Sequence, residues 1–379
     1  MNAPIVIVGG GQSGLAAARQ VRAAGMQPLV LEAGARPVGS WPDYYDSLTV
    51  FSPAQYSALD GVAFPGDPEH YPHRDEVVTY LERYAASLDL EIRTGTRVER
   101  VESDGPGFVV HPAHGDALSA SGIVAASGSF SNPYEPPIPG RERFAGEVLH
   151  VAAYREPTKY AGRRVLVVGG GNSAVQVAHE LIEYADVTLA TLEPVRFLPQ
   201  VHAGKDVHYW TETTGFDQLP PEWLARLVPG PLVSDDGVYG AAYASGVLQR
   251  RAMFQRFEDD GVVWSDGTPE QVDTVILATG YRPSLGYLRD LGALDENGLP
   301  LHAGGISATH PGLVYLGLEF QRSFASNTLR GVAADAAYVV PPLVAYAAGA
   351  SAIVGLRGDV RDRFLLAAGG VQDAGDRAQ

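Results

Sequence analysis

Short runs of apolar residues recur along this chain, and glycine, proline or polar residues separate them. An unbroken apolar run of about four to eight residues is typical of a strand that is buried on both faces, as in a parallel sheet. Apolar residues at helical spacing follow two of these runs, in residues 15–22 and 175–182. The pattern therefore predicts an α/β fold with parallel sheets. We interpret as buried strands, some with the turn that ends them, residues 5–8, 28–31, 122–128, 165–168, 186–191, 272–281 and 310–318.

The first strand–helix connection carries three glycines. They are Gly9, Gly11 and Gly14, in the G-x-G-x-x-G spacing. This spacing allows a tight turn, close approach of a pyrophosphate to the backbone, and close packing of the helix on the strand. Glu32 ends the second strand about 20 residues further on, where a carboxylate binds a ribose hydroxyl in such units. The unit is therefore predicted to bind a dinucleotide.

A second unit of the same kind begins about 160 residues later, which makes a chance match of both improbable. Gly169, Gly171 and Ala174 give the spacing G-x-G-x-x-A after the strand 165–168. After the next strand, Glu193 is placed to bind a ribose 2′-hydroxyl and Arg196 to bind a 2′-phosphate. The pattern alone does not identify the nucleotide that either unit binds.

Two such units predict two Rossmann-like dinucleotide-binding domains, each a three-layer ββα arrangement, with the second domain inserted within the first. We expect residues 1–153 and 281–379 to form the first domain, and residues 154–280 the second. Residues of about 197–257 interrupt the strand–helix alternation and are interpreted as an insertion with short helices.

Three further regions complete the predicted elements. Residues 44–71 are rich in aromatic residues and proline without a clear period, which favours a segment that wraps a site. A helix is predicted from Asp75, and the three short runs between residues 90 and 110 are interpreted as a small sheet. A last helix is predicted to start near Ser326, with its N-terminus directed at negative charge on a reduced ring.

Composition excludes several classes of function. The 379 residues carry a net charge of −16, which argues against nucleic acid as a main partner. The absence of cysteine excludes disulfides, thiolate metal sites and dithiol redox chemistry in this chain. His111 and His114 are interpreted as part of a solvated loop, and no metal site is predicted.

The N-terminal residues lead directly into the first strand, so we expect a cytoplasmic protein. Residues 336–356 carry no charge and are long enough to span a bilayer. Their alanine, glycine and tyrosine content, and the pair Pro341 and Pro342, favour helices of a folded domain. No membrane span is therefore expected.

Three motifs between and after the glycine loops carry a family resemblance. Phe144-x-Gly146-x-x-x-His150-x-x-x-Tyr154-Arg155 lies just before the second loop, Leu277-Ala278-Thr279-Gly280-Tyr281 follows it, and Gly39-Ser40-Trp41 follows the first. With both loops, they cover most of the chain in the same order as in flavin-containing monooxygenases, which the chain therefore resembles. Baeyer–Villiger relatives end the fingerprint in Trp-Pro, and this chain ends it in Tyr-Arg.

The resemblance implies FAD on the first unit and NADPH on the second. It also implies that O2 forms a C4a-hydroperoxyflavin, which oxygenates a small organic substrate at a nitrogen, sulfur or carbonyl centre. Since the cofactor carries this chemistry, the protein is expected to position the rings and exclude water. His150 is therefore interpreted as a structural link between domains rather than a general base.

The resemblance assigns site residues as follows. The expected FAD-binding residues are Gly9, Gly11, Ser13, Gly14, Glu32, Ser40, Trp41, Val98, Gly128, Thr328 and Leu329. The expected NADP-binding residues are Gly169, Gly171, Asn172, Ser173, Ala174, Arg196, Thr279 and Gly280. Ser52 and Gln321 are the expected catalytic residues.

Two positions depart from the family pattern. Ser52 stands where many members carry an asparagine near the flavin, and Leu192 stands where an arginine often follows the second strand of the NADPH unit. We expect Arg196 to replace that arginine. The alternatives are a flavin reductase or dehydrogenase that passes electrons to an acceptor other than oxygen, and a redox-sensing protein that binds both cofactors without turnover.

Overall fold

The computed structural model describes residues 3–228 and 230–349. The helices in these residues are α1 (Gln12–Ala23), α2 (Arg74–Ser87), α3 (Asn172–Leu181), α4 (Val207–Thr213), α5 (Pro221–Leu227), α6 (Val238–Ala244) and α7 (Val332–Ala347). The strands of the first half are β1 (Ile5–Val8), β2 (Pro28–Leu31), β3 (Glu91–Arg93), β4 (Val98–Asp104), β5 (Gly107–Pro112), β6 (Leu118–Ala120), β7 (Gly122–Ala125), β8 (Glu147–His150), β9 (Arg164–Val168) and β10 (Asp186–Thr191). Those of the second half are β11 (Phe197–Pro199), β12 (Val201–His202), β13 (Lys205–Asp206), β14 (Val233–Asp235), β15 (Gln249–Ala252), β16 (Arg256–Glu258), β17 (Gly261–Val263), β18 (Pro269–Gln271), β19 (Thr274–Leu277), β20 (His302–Ala303), β21 (Ile306–Ser307) and β22 (Leu313–Tyr315).

The first sheet has β1 near its centre, and its strand order is β20-β21-β22-β7-β1-β2-β3. Strand β1 pairs in parallel with β2 and with β7, so that Ile5 lies opposite both Pro28 and Gly122. All four residues of β1 are buried because the sheet is covered on both faces. The apolar runs predicted as buried strands are confirmed here.

Helices cover one face of this sheet and a second sheet covers the other. Leu15 of α1, Leu81 of α2 and Val339 of α7 belong to one core, which also contains Ile5 and Ile7. On the opposite face Val101 and Phe108 from the antiparallel sheet β4-β5-β6 pack with Val6 and Val8. This is the predicted three-layer ββα arrangement.

The second sheet repeats the plan, with parallel strands in the order β15-β10-β9-β19-β8. Helix α3 packs on one face through Val175 and Leu181. The antiparallel sheet β16-β17-β18 packs on the other face through Phe257 and Trp264. Since β22 returns to the first sheet after this unit, the second Rossmann-like domain is inserted within the first.

Strand pairing differs from the sequence predictions in three places. Strand β3 pairs in parallel with β2, so residues 91–93 belong to the large sheet and not to the small one. Strand β15 pairs in parallel with β10, so residues 249–252, which we assigned to the insertion, form an edge of the second sheet. Strand β8 also joins that sheet, although it precedes residue 153, where we placed the domain boundary.

The last helix begins at Val332 rather than near Ser326, so its predicted start was wrong. The Ser326 hydroxyl accepts hydrogen bonds from the backbone N–H groups of Arg322 and Ser323, each at 3.0 Å. It therefore closes a turn that precedes it and does not cap a helix that follows it. Helix α7 contains Pro341 and Pro342.

Among the helices of residues 3–228 and 230–349, none is long and apolar enough to cross a membrane. Residues 350–356 of the uncharged segment, and residues 350–379 of the predicted first domain, lie outside the described residues.

His111 was predicted in a loop but lies on β5, where its Nε2 atom is 2.8 Å from Oε2 of Glu102. Within the described ranges, no cluster of histidine, aspartate or glutamate suits a metal ion.

Candidate cofactor and substrate site

The first glycine loop forms a cradle that side chains would fill. Gly9 has a φ of +109°, and a Cβ atom there would lie 2.4 Å from the carbonyl oxygen of Ala126. A Cβ atom on Gly14 would lie 1.8 Å from the carbonyl oxygen of Gly9. Gly11 faces Gly39, and its Cβ atom would lie 3.3 Å from the Gly39 Cα atom. The glycines therefore permit the tight turn and the close packing that a dinucleotide-binding loop needs.

The helix that follows presents free N–H groups to this cradle. Helix α1 has Gly11 as its N-cap, with no side-chain cap and no acidic residue in its first turn. The first N–H groups of a helix without such partners form an anion site, and the helix dipole favours negative charge there. These residues fit the pyrophosphate of a dinucleotide.

Glu32 lies beside the cradle at the end of β2 and is buried. Its carboxylate accepts hydrogen bonds from the backbone N–H groups of Gly10 and Gly34, each at 2.6 Å. A carboxylate has about four acceptor positions, so Glu32 keeps capacity for a ribose hydroxyl while these two bonds fix its orientation.

The remaining expected FAD residues lie around this loop. The indole N–H of Trp41 donates to Gln12 at 2.8 Å, and the Gln12 amide donates to the carbonyl oxygen of Asn327 at 3.0 Å. Ser13 approaches Gly317, where a Cβ atom would lie 2.1 Å from the Ser13 hydroxyl. Ser40 precedes Trp41 in the same loop, and Gly128, with a φ of +67°, follows β7.

Three of the expected residues have side chains engaged elsewhere. Val98 and Leu329 are buried in the two cores of the first domain. The Thr328 hydroxyl donates to the carbonyl oxygen of Ala325 at 2.7 Å. Any contact that Val98 or Leu329 makes with a cofactor is therefore through the backbone.

The second glycine loop repeats the first at the second sheet. Gly169 has a φ of +142°, and a Cβ atom there would lie 2.3 Å from the carbonyl oxygen of Ala278. Gly171 caps α3, which again has no side-chain cap and no acidic residue in its first turn. A Cβ atom on Gly171 would meet nothing within 4 Å, so the space in front of the loop is open. Ala174 is buried behind it.

Neighbouring side chains close this second loop on one side. The Asn172 side chain accepts a hydrogen bond from the Ser234 N–H group at 2.9 Å, which joins α3 to β14. Ser173 follows Asn172 in the first turn of α3. The Thr279 hydroxyl donates to the carbonyl oxygen of Tyr134.

A cation that the sequence analysis missed lies at the carboxyl end of β10. Arg250, on the edge strand β15, donates from Nε to the Thr191 hydroxyl at 2.7 Å and from Nη2 to the Thr191 carbonyl oxygen at 3.2 Å. Leu192, where we noted the missing arginine, is 84% exposed. Arg196 is exposed near the same strand end. The sequence did not point to Arg250, because only the pairing of β15 with β10 brings it next to Thr191.

His150 joins the fingerprint to the turn after β19. Its Nδ1 atom accepts a hydrogen bond from the Ala152 N–H group, so Nε2 carries the hydrogen and donates to the Gly280 carbonyl oxygen at 3.1 Å. The imidazole is buried, and this burial lowers the pKa of His150 below its usual value. A neutral, buried ring with both nitrogens engaged supports a structural link rather than a general base.

A row of aromatic rings extends from the first glycine loop to the second domain. Trp41 lies 5.7 Å from Tyr44, Tyr44 lies 4.4 Å from Phe130, and Phe130 stacks on Tyr281 at 5.3 Å between ring centroids. Burial raises the pKa of Tyr44 to about 12, so its hydroxyl stays protonated. This row of rings runs from the first cradle to the turn after β19.

The two expected catalytic residues occupy different positions. The Ser52 hydroxyl lies 2.8 Å from that of Ser57, which is itself bonded to the carbonyl oxygens of Ser52 and Pro53. Gln321 is buried, and its amide nitrogen has no hydrogen-bond partner in the described part of the chain. Within those residues, no hydrogen bond joins Ser52 to Gln321.

The insertion contacts the aromatic segment through a polar cluster that we did not predict. Asp206 accepts hydrogen bonds from the Tyr71 hydroxyl and, at 2.8 Å, from the Gln200 amide. Gln200 also donates to the carbonyl oxygen of Phe51 at 2.8 Å. Residues 51–71, which include Ser52, and residues 200–208 therefore form one wall.

A match to known sequences decides the family. Residues 6–215, more than half of the chain, match the family described as pyridine nucleotide-disulphide oxidoreductase. The chain belongs to the pyridine nucleotide-disulphide oxidoreductase family. Because this oxidoreductase has no cysteine, it carries no dithiol of its own.

Individual relatives confirm the resemblance to flavin-containing monooxygenases. A CzcO-like oxidoreductase of Geobacillus kaustophilus is 31% identical over 344 residues, which are 89% of this chain and 97% of that protein. The indole-3-pyruvate monooxygenase YUCCA1 of Oryza sativa subsp. japonica is 31% identical over 329 residues, 76% of this chain and 79% of that protein. The structure of a flavin-containing monooxygenase from Stenotrophomonas maltophilia is similar with a TM-score of 0.81 and 32% identity, covering 91% of this chain and 99% of that one. This oxidoreductase is therefore a flavoprotein that also uses a nicotinamide nucleotide.

Proposed function

We propose that this oxidoreductase is an FAD-dependent monooxygenase that uses NADPH and O2 to oxygenate a small organic substrate at a nitrogen, sulfur or carbonyl centre. The observation that carries the proposal is the pair of uncapped helix N-termini, each behind a glycine cradle, with a row of aromatic rings between the first cradle and the turn after β19. Such a pair suits two dinucleotides whose rings must meet.

The first cradle is proposed to hold FAD, within residues 1–153 and 281–379. Gly9, Gly11 and Gly14 admit the pyrophosphate, and Glu32 accepts from a ribose hydroxyl. The other residues that we assign to FAD are Ser13, Ser40, Trp41, Val98, Gly128, Thr328 and Leu329. Bound FAD, once reduced, supplies the chemistry that activates oxygen.

The second cradle is proposed to hold NADPH, within residues 154–280. The residues that we assign to it are Gly169, Gly171, Asn172, Ser173, Ala174, Thr279 and Gly280. Arg196 and Arg250 supply positive charge at the carboxyl end of β10, where a 2′-phosphate binds in this fold. Their guanidinium groups favour NADPH over NADH.

Ser52 and Gln321 are proposed to face the reacting atoms. The Ser52 hydroxyl is oriented by Ser57, and the unpartnered amide nitrogen of Gln321 is a donor directed away from bulk water. The aromatic residues of segment 44–71 exclude water from the same place.

The experiment is aerobic turnover of the FAD-loaded protein with NADPH or NADH and a panel of sulfides, amines and ketones. Oxygenated product, formed faster with NADPH, is the expected result. Hydrogen peroxide alone, with no oxygenated product from any substrate, would contradict the proposal.

A second candidate function is a flavin reductase or dehydrogenase that passes electrons to a non-oxygen acceptor. It is favoured by Ser52, whose hydroxyl shares a hydrogen bond with Ser57 where many relatives carry an asparagine. Fast NADPH-dependent reduction of a quinone or dye, without oxygenation of any substrate, would support it.

A further inference from the structure

The Asp206–His208 pair lies in the insertion, at its contact with the aromatic segment. Oδ1 of Asp206 accepts hydrogen bonds from the backbone N–H of His208 at 2.8 Å and from its Nδ1 atom at 2.7 Å. Oδ2 of Asp206 accepts from Tyr71 and Gln200. Four donors thus converge on a single carboxylate.

These bonds keep the carboxylate ionised. Burial opposes the charge, but the hydrogen bonds from His208, Tyr71 and Gln200 outweigh it and hold the pKa of Asp206 below its usual value. The side chain of Asp206 is only 11% exposed. An ionised, acceptor-only carboxylate requires Nδ1 of His208 to carry a hydrogen.

In neutral His208, the Nε2 atom is consequently a hydrogen-bond acceptor. The side chain is 6% exposed, and Nε2 has no hydrogen-bond partner within the residues that the structure describes. Nε2 is not one of the fully buried unpartnered atoms of those residues, so a donor from outside the protein can reach it. The imidazole therefore presents one accessible acceptor at the edge of an otherwise buried side chain.

Helix capping does not explain the whole arrangement. Asp206 caps α4 by accepting from the His208 backbone N–H, and any residue except proline at position 208 would donate that bond. The bond to Nδ1, and those from Tyr71 and Gln200, involve side chains that a cap does not need.

Ring contacts place the imidazole of His208 in the wall that includes Ser52. The rings of Phe51 and Tyr56 lie nearly parallel to the imidazole, at 6.1 and 6.0 Å between centroids. Phe51 is 41% exposed and directly precedes Ser52. The charged and titratable groups around this wall are Asp206, Tyr71, Tyr209, Glu212 and Arg330.

We propose that Nε2 of His208 accepts a hydrogen bond from an O–H or N–H group of the substrate, whose apolar or aromatic body lies against Phe51 and Tyr56. Asp206 is a positioning residue that holds the tautomer and orientation of the imidazole. This inference rests on the proposed function, because it concerns the substrate of that site.

The test compares two aryl methyl sulfides that differ only at the para position. One carries a hydroxyl group and the other a methyl group of similar size. Calorimetry on the FAD-loaded protein measures the dissociation constant of each, and steady-state assays measure KM and kcat for each sulfide. The variants are His208→Leu and Asp206→Asn, with His202→Leu as a matched control on the exposed strand β12.

Wild type and His202→Leu are expected to bind the para-hydroxyl sulfide about threefold to tenfold more tightly, the range for one hydrogen bond. His208→Leu should abolish this preference by raising the KM for the para-hydroxyl sulfide. Asp206→Asn should reduce the preference, because an amide does not fix the Nδ1–H tautomer as a carboxylate does. Flavin content and melting temperature report whether each variant folds.

Equal affinity of wild type for the two sulfides, or no measurable binding of either, would overturn the inference. An undiminished preference in folded His208→Leu would also overturn it. The proposed function fails separately: binding that prefers the hydroxyl group through His208 without any sulfoxide product would leave the inference standing and contradict oxygenation.

Discussion

The Nε2 atom of His150 lies 3.1 Å from the carbonyl oxygen of Gly280, so one hydrogen bond joins the fingerprint motif to the turn after β19. Gly280 also accepts from the backbone N–H of Tyr134 at 2.9 Å. Both bonds converge on the segment where the chain passes between the two sheets. The fingerprint motif thus acts, in this structure, as an attachment between the strands of the second sheet and the crossing segment.

The first prediction concerns how stability changes with pH. Burial lowers the pKa of His150 below its ordinary value of 6.5. Just below pH 6.5, the unfolded chain therefore binds a proton at His150 that the folded chain does not bind. Stability must then fall as the pH drops through about 6.5, by at most ~1.4 kcal/mol per pH unit for one such proton. His150→Gln should remove this contribution to the pH dependence. The free energy of unfolding should then change less between pH 7.5 and pH 5 than in wild type.

The control for this prediction is His302→Gln. Burial also lowers the pKa of His302, so its replacement should flatten the stability curve with the same sign. Only His150→Gln should slow reduction of the flavin by NADPH, because His302 lies on β20 at the far edge of the first sheet. A pH curve for His150→Gln as steep as that of wild type would contradict the buried neutral histidine.

The second prediction separates the two nucleotide sites. A Cβ atom on Gly171 meets no protein atom within 4 Å, so Gly171→Ala should fold normally and keep its flavin. It should raise the KM for NADPH by about tenfold or more, because the methyl group occupies the place of the pyrophosphate. Gly11→Ala, in contrast, should lose the yellow colour.

Gly286→Ala is the matched control, because a Cβ atom there also meets nothing within 4 Å and the position lies outside both cradles. Flavin absorbance and steady-state kinetics with NADPH provide the measurements. Full flavin occupancy in Gly11→Ala, or an unchanged KM in Gly171→Ala, would show that the loop concerned does not hold the nucleotide assigned to it.

The third prediction concerns nucleotide preference. If Arg196 and Arg250 hold a 2′-phosphate, Arg196→Gln and Arg250→Gln should each raise the KM for NADPH about tenfold or more and leave the KM for NADH within about twofold. Arg256→Gln, an exposed change on β16, should alter neither. An equal rise in the KM for NADPH and the KM for NADH would indicate damage to the fold near Thr191 rather than lost selectivity.

The fourth prediction concerns the ion pair that connects the insertion to the segment before α7. Asp217 and Arg330 form a short contact, with side chains 16% and 12% exposed, and Phe216 packs edge-on against Phe324 beside it. Asp217→Ala leaves the Arg330 charge buried without its partner and should cost about 3 kcal/mol of unfolding free energy. The double variant Asp217→Leu with Arg330→Met should recover much of that loss, as measured by urea unfolding.

Elements with strong, local patterns could be predicted from the sequence. Strand β1 and helix α1 were found because four apolar residues, three glycines and a helical repeat follow one another within the same unit. The fold class followed from repetition of that unit. These signals depend on neighbouring residues, so no tertiary information was needed.

Elements defined by distant partners were missed. Strand β15 is Gln-Arg-Arg-Ala, a polar edge strand that only its pairing with β10 reveals. Ser326 looks like a helix cap, but its hydroxyl closes an earlier turn. Asp206 meets Tyr71 across 135 residues of sequence, so the cluster around His208 had no local signal.

The most direct test of the central proposal is turnover of the FAD-loaded protein with NADPH under ¹⁸O2. We expect one ¹⁸O atom in the product of a sulfide, amine or ketone, with product formed in proportion to the NADPH consumed. Consumption of NADPH that yields only labelled hydrogen peroxide, with no labelled organic product across the panel, would contradict the assignment as a monooxygenase.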